Sequence, residues 1–211
     1  MVVIATECLP AMRPLIDFHR AGDAQALAQD LADFVAHCLT DTLRKQDRAL
    51  LVVSGGSTPG PFFDALSRKD IPWGQVVITL ADERWVSPNH PDSNERLVRQ
   101  RLLQGPAAEA IWMPFWREEM NTHEALHHVC GELDALPWPA SVVILGIGSD
   151  GHTASLFPHD ASWVESGPDP DRCLAIPAPM PPNVPVPRLS LSPTCLMDAE
   201  QVVIHLTGEA K

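Results

Sequence analysis

The sequence predicts an α/β fold, Rossmann-like, with a mainly parallel sheet and helices on both faces. Three observations lead there. Residues 49–53, 76–81 and 142–147 are short Val/Ile/Leu-rich runs without the alternation of a half-exposed strand, which is how strands buried on both faces read. Each run passes directly into a glycine-rich or charged turn. Between the runs the apolar spacing changes to the steps of helices, and strands alternating with helices build parallel sheets.

Residues 23–46 carry Leu27, Leu31, Phe34, Val35, Cys38, Leu39 and Leu43 at helical steps. The strand at 49–53 enters Ser54-Gly55-Gly56-Ser57-Thr58-Pro59-Gly60. Ser57 or Thr58 is expected to cap the next helix, with Pro59 in its first turn and Phe62, Phe63 and Leu66 facing inward. The strand at 76–81 closes on Asp82-Glu83-Arg84, and after turn-rich residues 87–93 a helix carries Leu97, Leu102 and Leu103. A further helix spans 122–136, with Ala125, Leu126, Val129, Leu133 and Leu136 on one face. The strand at 142–147 runs into Gly148-Ser149-Asp150-Gly151-His152-Thr153. Weaker strand signals lie at 174–176, 189–191 and 202–206. The six prolines of residues 177–187 rule out a helix or central strand there. That stretch is a stiff loop, either a surface crossover or a wall of the site.

The 211 residues read as one domain, 1–211, without internal repeats. Fifteen Lys and Arg against 27 Asp and Glu leave a formal charge of −12, which argues against nucleic acid or an anionic membrane as partner. An anionic ligand would then need a locally built site of backbone N–H groups and placed cations. The five cysteines are odd in number and lack CxxC or metal-ligand spacing, so reduced thiols are expected. The N-terminus lacks a basic, continuously apolar leader, and no apolar run is long enough to span a membrane. A soluble cytoplasmic protein is expected.

In an open parallel sheet, ligands bind beyond the carboxyl ends of the strands. Three strand ends carry unusual polar sequences: 54–58, 82–84 and 148–153. The glycines at 55 and 56 let backbone N–H groups approach an anion, beside the hydroxyls of Ser57 and Thr58. The segment is neither a Walker A motif nor a GxGxxG fingerprint, and turn chemistry alone would also explain it. In the third segment the glycines present Asp150 and His152 on a tight turn. A histidine titrating near neutrality can take a proton from water, and a carboxylate can orient it; a helix-capping histidine is the bland alternative. Asp82 can orient a hydroxyl or act as a base, and Arg84 can hold a phosphate in bidentate geometry. For Glu83 a solvated salt-bridge cluster is expected. Ser54, Ser57 and Ser149 lie near glycines, but none sits in a GxSxG elbow.

Taken together, these motifs resemble the 6-phosphogluconolactonase family, within the larger group that includes glucosamine-6-phosphate isomerase/deaminase. The resemblance rests on Ser54-Gly55-Gly56-Ser57-Thr58-Pro59, Asp82-Glu83-Arg84-Trp85-Val86 with Asp92-Ser93-Asn94, and the run from Gly146 to Pro158. Pro187-Arg188-Leu189-Ser190-Leu191 and Thr207-Gly208-Glu209-Ala210-Lys211 resemble the later Pro-Arg and Thr-Gly-x-x-Lys segments. After the histidine, Thr153-Ala154-Ser155-Leu156-Phe157-Pro158 is similar to the lactonases; the deaminases carry a glutamate there.

The resemblance implies hydrolysis of 6-phosphoglucono-δ-lactone in the oxidative pentose phosphate pathway. His152 would activate water and Asp150 would support it. The phosphate would rest on Gly55, Gly56, Ser57 and Thr58, with Asp82, Arg84, Arg188 and Lys211 completing the substrate site. No metal or organic cofactor is expected, the partner is a small sugar-phosphate lactone, and a monomer is favoured. The family pattern also implies a C-terminal helix beyond Lys211, which the domain is expected to lack. The rivals are an aminosugar-phosphate isomerase/deaminase and a non-catalytic sugar-phosphate-binding protein.

Overall fold

The computed structural model describes residues 2–6, 15–158, 172–176, 178 and 183–208. Helix α1 (Ala24–Leu43) starts at Asp23, whose side chain accepts from the Ala26 N–H at 2.8 Å and satisfies one donor that the first turn leaves free. Its buried stripe of Leu27, Leu31, Val35 and Leu39 covers the sheet and the short α2 (Gly60–Leu66). Every position of β3 (Ala49–Val53) and β4 (Val76–Leu80) is buried, as is every position of β7 (Val142–Leu145).

The main sheet has the order β2-β1-β10-β7-β3-β4-β6. Strands β10 (Gln201–His205), β7, β3, β4 and β6 (Ile111–Trp112) run parallel. Strand β1 (Val2–Thr6) joins β10 antiparallel, and β2 (Leu15–His19) follows antiparallel at the edge. Helices α3 (Asn94–Arg101), α4 (Thr122–Asp134) and the short α5 (Pro193–Met197) complete the α/β fold, a five-strand parallel sheet flanked by helices. Among the described residues no helix is long and apolar enough to cross a membrane.

A second, antiparallel sheet has the order β5-β9-β8, from β5 (Asp82–Arg84), β8 (Cys173–Ile176) and β9 (Arg188–Leu191). The charged cluster at 82–84 therefore does more than close a strand: it is a strand itself, and the weak signals at 174–176 and 189–191 are its partners. Glu83 corrects the expectation of a solvated cluster. It is fully buried and accepts from the N–H groups of Arg84, Asn94 and Glu95 at 2.7–2.8 Å and from Ser93 Oγ at 3.1 Å. The carboxyl group joins β5 to the N-terminus of α3, whose N–H donors favour its charge while burial opposes it more strongly.

Three smaller expectations also change. Helix α2 starts at Gly60 after Pro59, with Pro61 in its first turn and no side-chain cap, so neither Ser57 nor Thr58 caps it. Strand β7 ends at Leu145, which places Gly146 and Ile147 in the turn. Cys130 on α4 and Cys173 on β8 form a disulfide with a Cα–Cα distance of 5.9 Å, because α4 packs directly on β8. Cys38 and Cys195 are free thiols, and Cys8 lies outside the described residues.

Candidate active site

The carboxyl ends of β3, β4 and β7 converge on one cleft, whose lining includes Gly55, Gly56, Ser57, Thr58, Asp82, Arg84, His152 and Arg188. Asp150 reaches the cleft through its contact with His152. Lys211 lies outside the described residues.

Two glycines are required by close approach. A Cβ at Gly55 would collide with the Asn94 side chain, and one at Gly148 would collide with the His152 ring and the Asp150 carboxylate. The turn after β7 is tied by Gly148 N–H to His152 O at 2.8 Å, Gly151 N–H to Gly148 O at 3.0 Å and Thr153 Oγ1 to Gly146 O at 2.9 Å. Nδ1 of His152 is hydrogen-bonded to Oδ1 of Asp150, which also accepts the His152 N–H at 3.3 Å. The imidazole packs on Phe157 with centroids 4.8 Å apart. Nε2 is thus the nitrogen left for chemistry. Oδ2 of Asp150 accepts from Nδ2 of Asn183 at 2.9 Å. Although burial acts to raise it, the Asn183 and His152 hydrogen bonds hold the Asp150 carboxyl well below the usual carboxylate range.

The second sheet contributes charge to the same cleft. Arg84 and Arg188 face each other across the β5–β9 ladder, a like-charge pairing that is unfavourable unless compensated. Arg84 donates through one guanidinium nitrogen to Asp92 O at 2.8 Å and Asn94 Oδ1 at 2.9 Å. Arg188 is 2% exposed, lies 3.8 Å from Asp82 Oδ2 and donates to Val184 O at 3.3 Å. Burial lowers its pKa, with Arg84 acting in the same sense and Asp82 against it. Asp82 in turn accepts from Ser155 Oγ at 2.6 Å and Asn94 Nδ2 at 3.3 Å. Both arginine Nε atoms are buried without a hydrogen-bond partner among the described residues. Two guanidiniums with spare donors beside a glycine turn form a locally positive pocket in an acidic protein, which suits an anion. Among the described residues no group of three His, Cys, Asp or Glu side chains could hold a metal ion.

Sequence reading brings together every expected site residue within the described chain. It misses Asn94, Asn183 and His205. Asn94 follows the Ser93 cap and bridges Asp82 to Arg84; its place in the Asp-Ser-Asn segment was the available signal. His205, at the end of β10, lines the cleft at 3% exposure with neither ring nitrogen hydrogen-bonded among the described residues, and burial drives its pKa down to about 4. No periodicity marks such a residue. Asn183 ties the described end of the proline-rich segment to Asp150, although none of its described residues lines the cleft, and residues 177 and 179–182 lie outside the described residues.

The chain is similar to known proteins along nearly its whole length. Residues 22–211 match the family described as glucosamine-6-phosphate isomerases/6-phosphogluconolactonase. A 6-phosphogluconolactonase of Pseudomonas aeruginosa is 41% identical over 193 residues, covering 90% of this chain and 79% of the relative. One from Rhizobium meliloti is 38% identical over 195 residues, covering 92% and 84%. The crystal structure of a 6-phosphogluconolactonase from Shewanella baltica superimposes with a TM-score of 0.83 at 39% identity, covering 89% of this chain and 79% of that one. With a family match over residues 22–211, this extent of identity and the shared fold, the chain belongs to the glucosamine-6-phosphate isomerase/6-phosphogluconolactonase family.

Proposed function

We propose that the protein hydrolyses 6-phosphoglucono-δ-lactone to 6-phosphogluconate, with His152 as the base that activates water. The observation that supports this reading is that His152, paired with Asp150, lines the same cleft as Arg84, Arg188 and the 55–58 turn. A base and an anion clamp on one small cleft match a substrate with an ester at one end and a phosphate at the other.

The phosphate rests on the backbone and hydroxyls of residues 55–58 and on Arg84 and Arg188. Asp82, held by Ser155 and Asn94, orients substrate hydroxyls and balances the charge of Arg188. Nε2 of His152 takes a proton from water as the water oxygen attacks C1. The tetrahedral oxyanion collapses, the bond from C1 to the ring oxygen breaks, and the imidazolium returns its proton to the departing oxygen. Asp150 stabilises the transient positive charge. Leu156 and Phe157, both 6% exposed and apolar, stand where the deaminases carry their glutamate, so ammonia release from glucosamine 6-phosphate is not expected.

The test is His152→Ala. Turnover corrected for spontaneous hydrolysis should fall by about 10²–10⁴-fold, with KM little changed. Hydrolysis at the wild-type rate would remove His152 as the base.

A further inference from the structure

The carboxylate of Asp150 has two oxygens with different tasks. Oδ1 faces His152, and Oδ2 faces Asn183 from a segment 33 residues further along the chain. That segment is anchored at several points. Val184 O accepts from Arg188, Val186 N–H closes on Val184 O at 2.9 Å, and Pro187 O accepts from Trp85 N–H at 2.8 Å. Pro185 and Pro187 fix φ on either side of Val186. The amide of Asn183 is therefore presented to Asp150 by backbone whose position is set by β9 and by Arg188.

We propose that Asn183 is a positioning residue for His152: its amide N–H fixes the plane of the Asp150 carboxylate so that Oδ1 holds Nδ1–H and leaves Nε2 unprotonated towards the cleft. The inference rests on His152 being the base and adds a residue for which the reaction chemistry by itself gives no reason. A carboxylate held by one partner can rotate about its terminal torsion, which is soft and roughly two-fold. Held on both oxygens, it offers the imidazole a single acceptor direction. Because Val184, the next residue, is bonded to Arg188, the same loop links Arg188 to the Asp150–His152 pair.

Three proteins test this: wild type, Asn183→Ala and Asn183→Asp. In Asn183→Ala, kcat should fall by about tenfold, the usual scale for a residue that orients a catalytic partner, while KM stays within about twofold. The ¹⁵N resonances of His152 in the resting enzyme should move from the Nδ1–H tautomer towards a mixture at about pH 8. Asn183→Asp keeps the shape but turns a donor into a second carboxylate against Asp150. A hydrogen-bonding role makes it less active than Asn183→Ala, whereas a packing role makes it the milder change. An Asn183→Asp protein as active as wild type, or an unchanged His152 tautomer in Asn183→Ala, overturns the proposal. The tautomer readout needs no turnover, so it separates this failure from a failure of His152 as the base.

Discussion

Strands β3 and β9 are equally buried and chemically opposite. β3 reads Ala-Leu-Leu-Val-Val, lies between β4 and β7, and has no exposed position. β9 reads Arg-Leu-Ser-Leu, also without an exposed position, yet it carries Arg188 beside Asp82 and Ser155. Burial of apolar surface stabilises the first directly. The second buries charge at a desolvation cost that its pairing only partly offsets, and the cross-strand approach of Arg84 adds to that cost. A buried charged strand whose Arg188 Nε has no partner among the described residues suits the proposed anion site; the parallel core that supports it contributes stability.

The largest effect expected from breaking this contrast is Arg188→Met. It leaves Asp82 buried without its cation, which should cost about 3 kcal/mol in urea unfolding, with relief of the Arg84 repulsion returning part. It also removes a charged phosphate partner, so KM for the lactone should rise by about 100-fold. Lower stability with an unchanged KM would reduce Arg188 to a structural residue and end the distinction between the two sheets. Leu51→Ala is the matching change in β3. Leu51 is fully buried opposite Ile78 and Val142, so about 3 kcal/mol should be lost to the cavity. Here kcat and KM of the folded protein should not change, and a raised KM would show that the core tunes the site directly.

The same contrast explains what was legible in the sequence. Residues 49–53, 76–80 and 142–145 announce themselves because strands buried on both faces must be continuously apolar. Residues 82–84 conceal a strand, because their charges are compensated by partners such as Asn94 and Ser155 that are distant in sequence. The glycine turns and the His-Asp pair were visible because chemistry and tight turns draw on few residue types. Asn183 and His205 were not, since their roles depend on which groups they meet in space. The Cys130–Cys173 pairing escaped for the same reason: 43 intervening residues give no sign that α4 lies on β8.

Two buried titratable groups, one at the end of a core strand and one in the second sheet, oppose each other with pH. His205, at the end of β10, falls from an ordinary value of 6.5 to about 4 through burial. Between those values the unfolded chain binds a proton that the folded chain does not, so His205 makes the protein less stable as pH falls from 6.5 to 4. Glu83 in β5 rises from 4.5 to about 7, burial outweighing its N–H donors. Between those values the folded chain binds the extra proton, so the stability Glu83 contributes is full below 4.5 and lost as pH rises to 7. Each slope is about 1.4 kcal/mol per pH unit, and over the shared window they cancel. Asp150, held well below the usual range, titrates beneath that window. Urea midpoints should therefore slope little for the wild type between 4.5 and 6.5. They should fall with rising pH in His205→Phe and rise with it in Glu83→Gln. If His205→Phe is flat and the wild type slopes upward, Glu83 stays ionised across the window, and its N–H donors outweigh its burial.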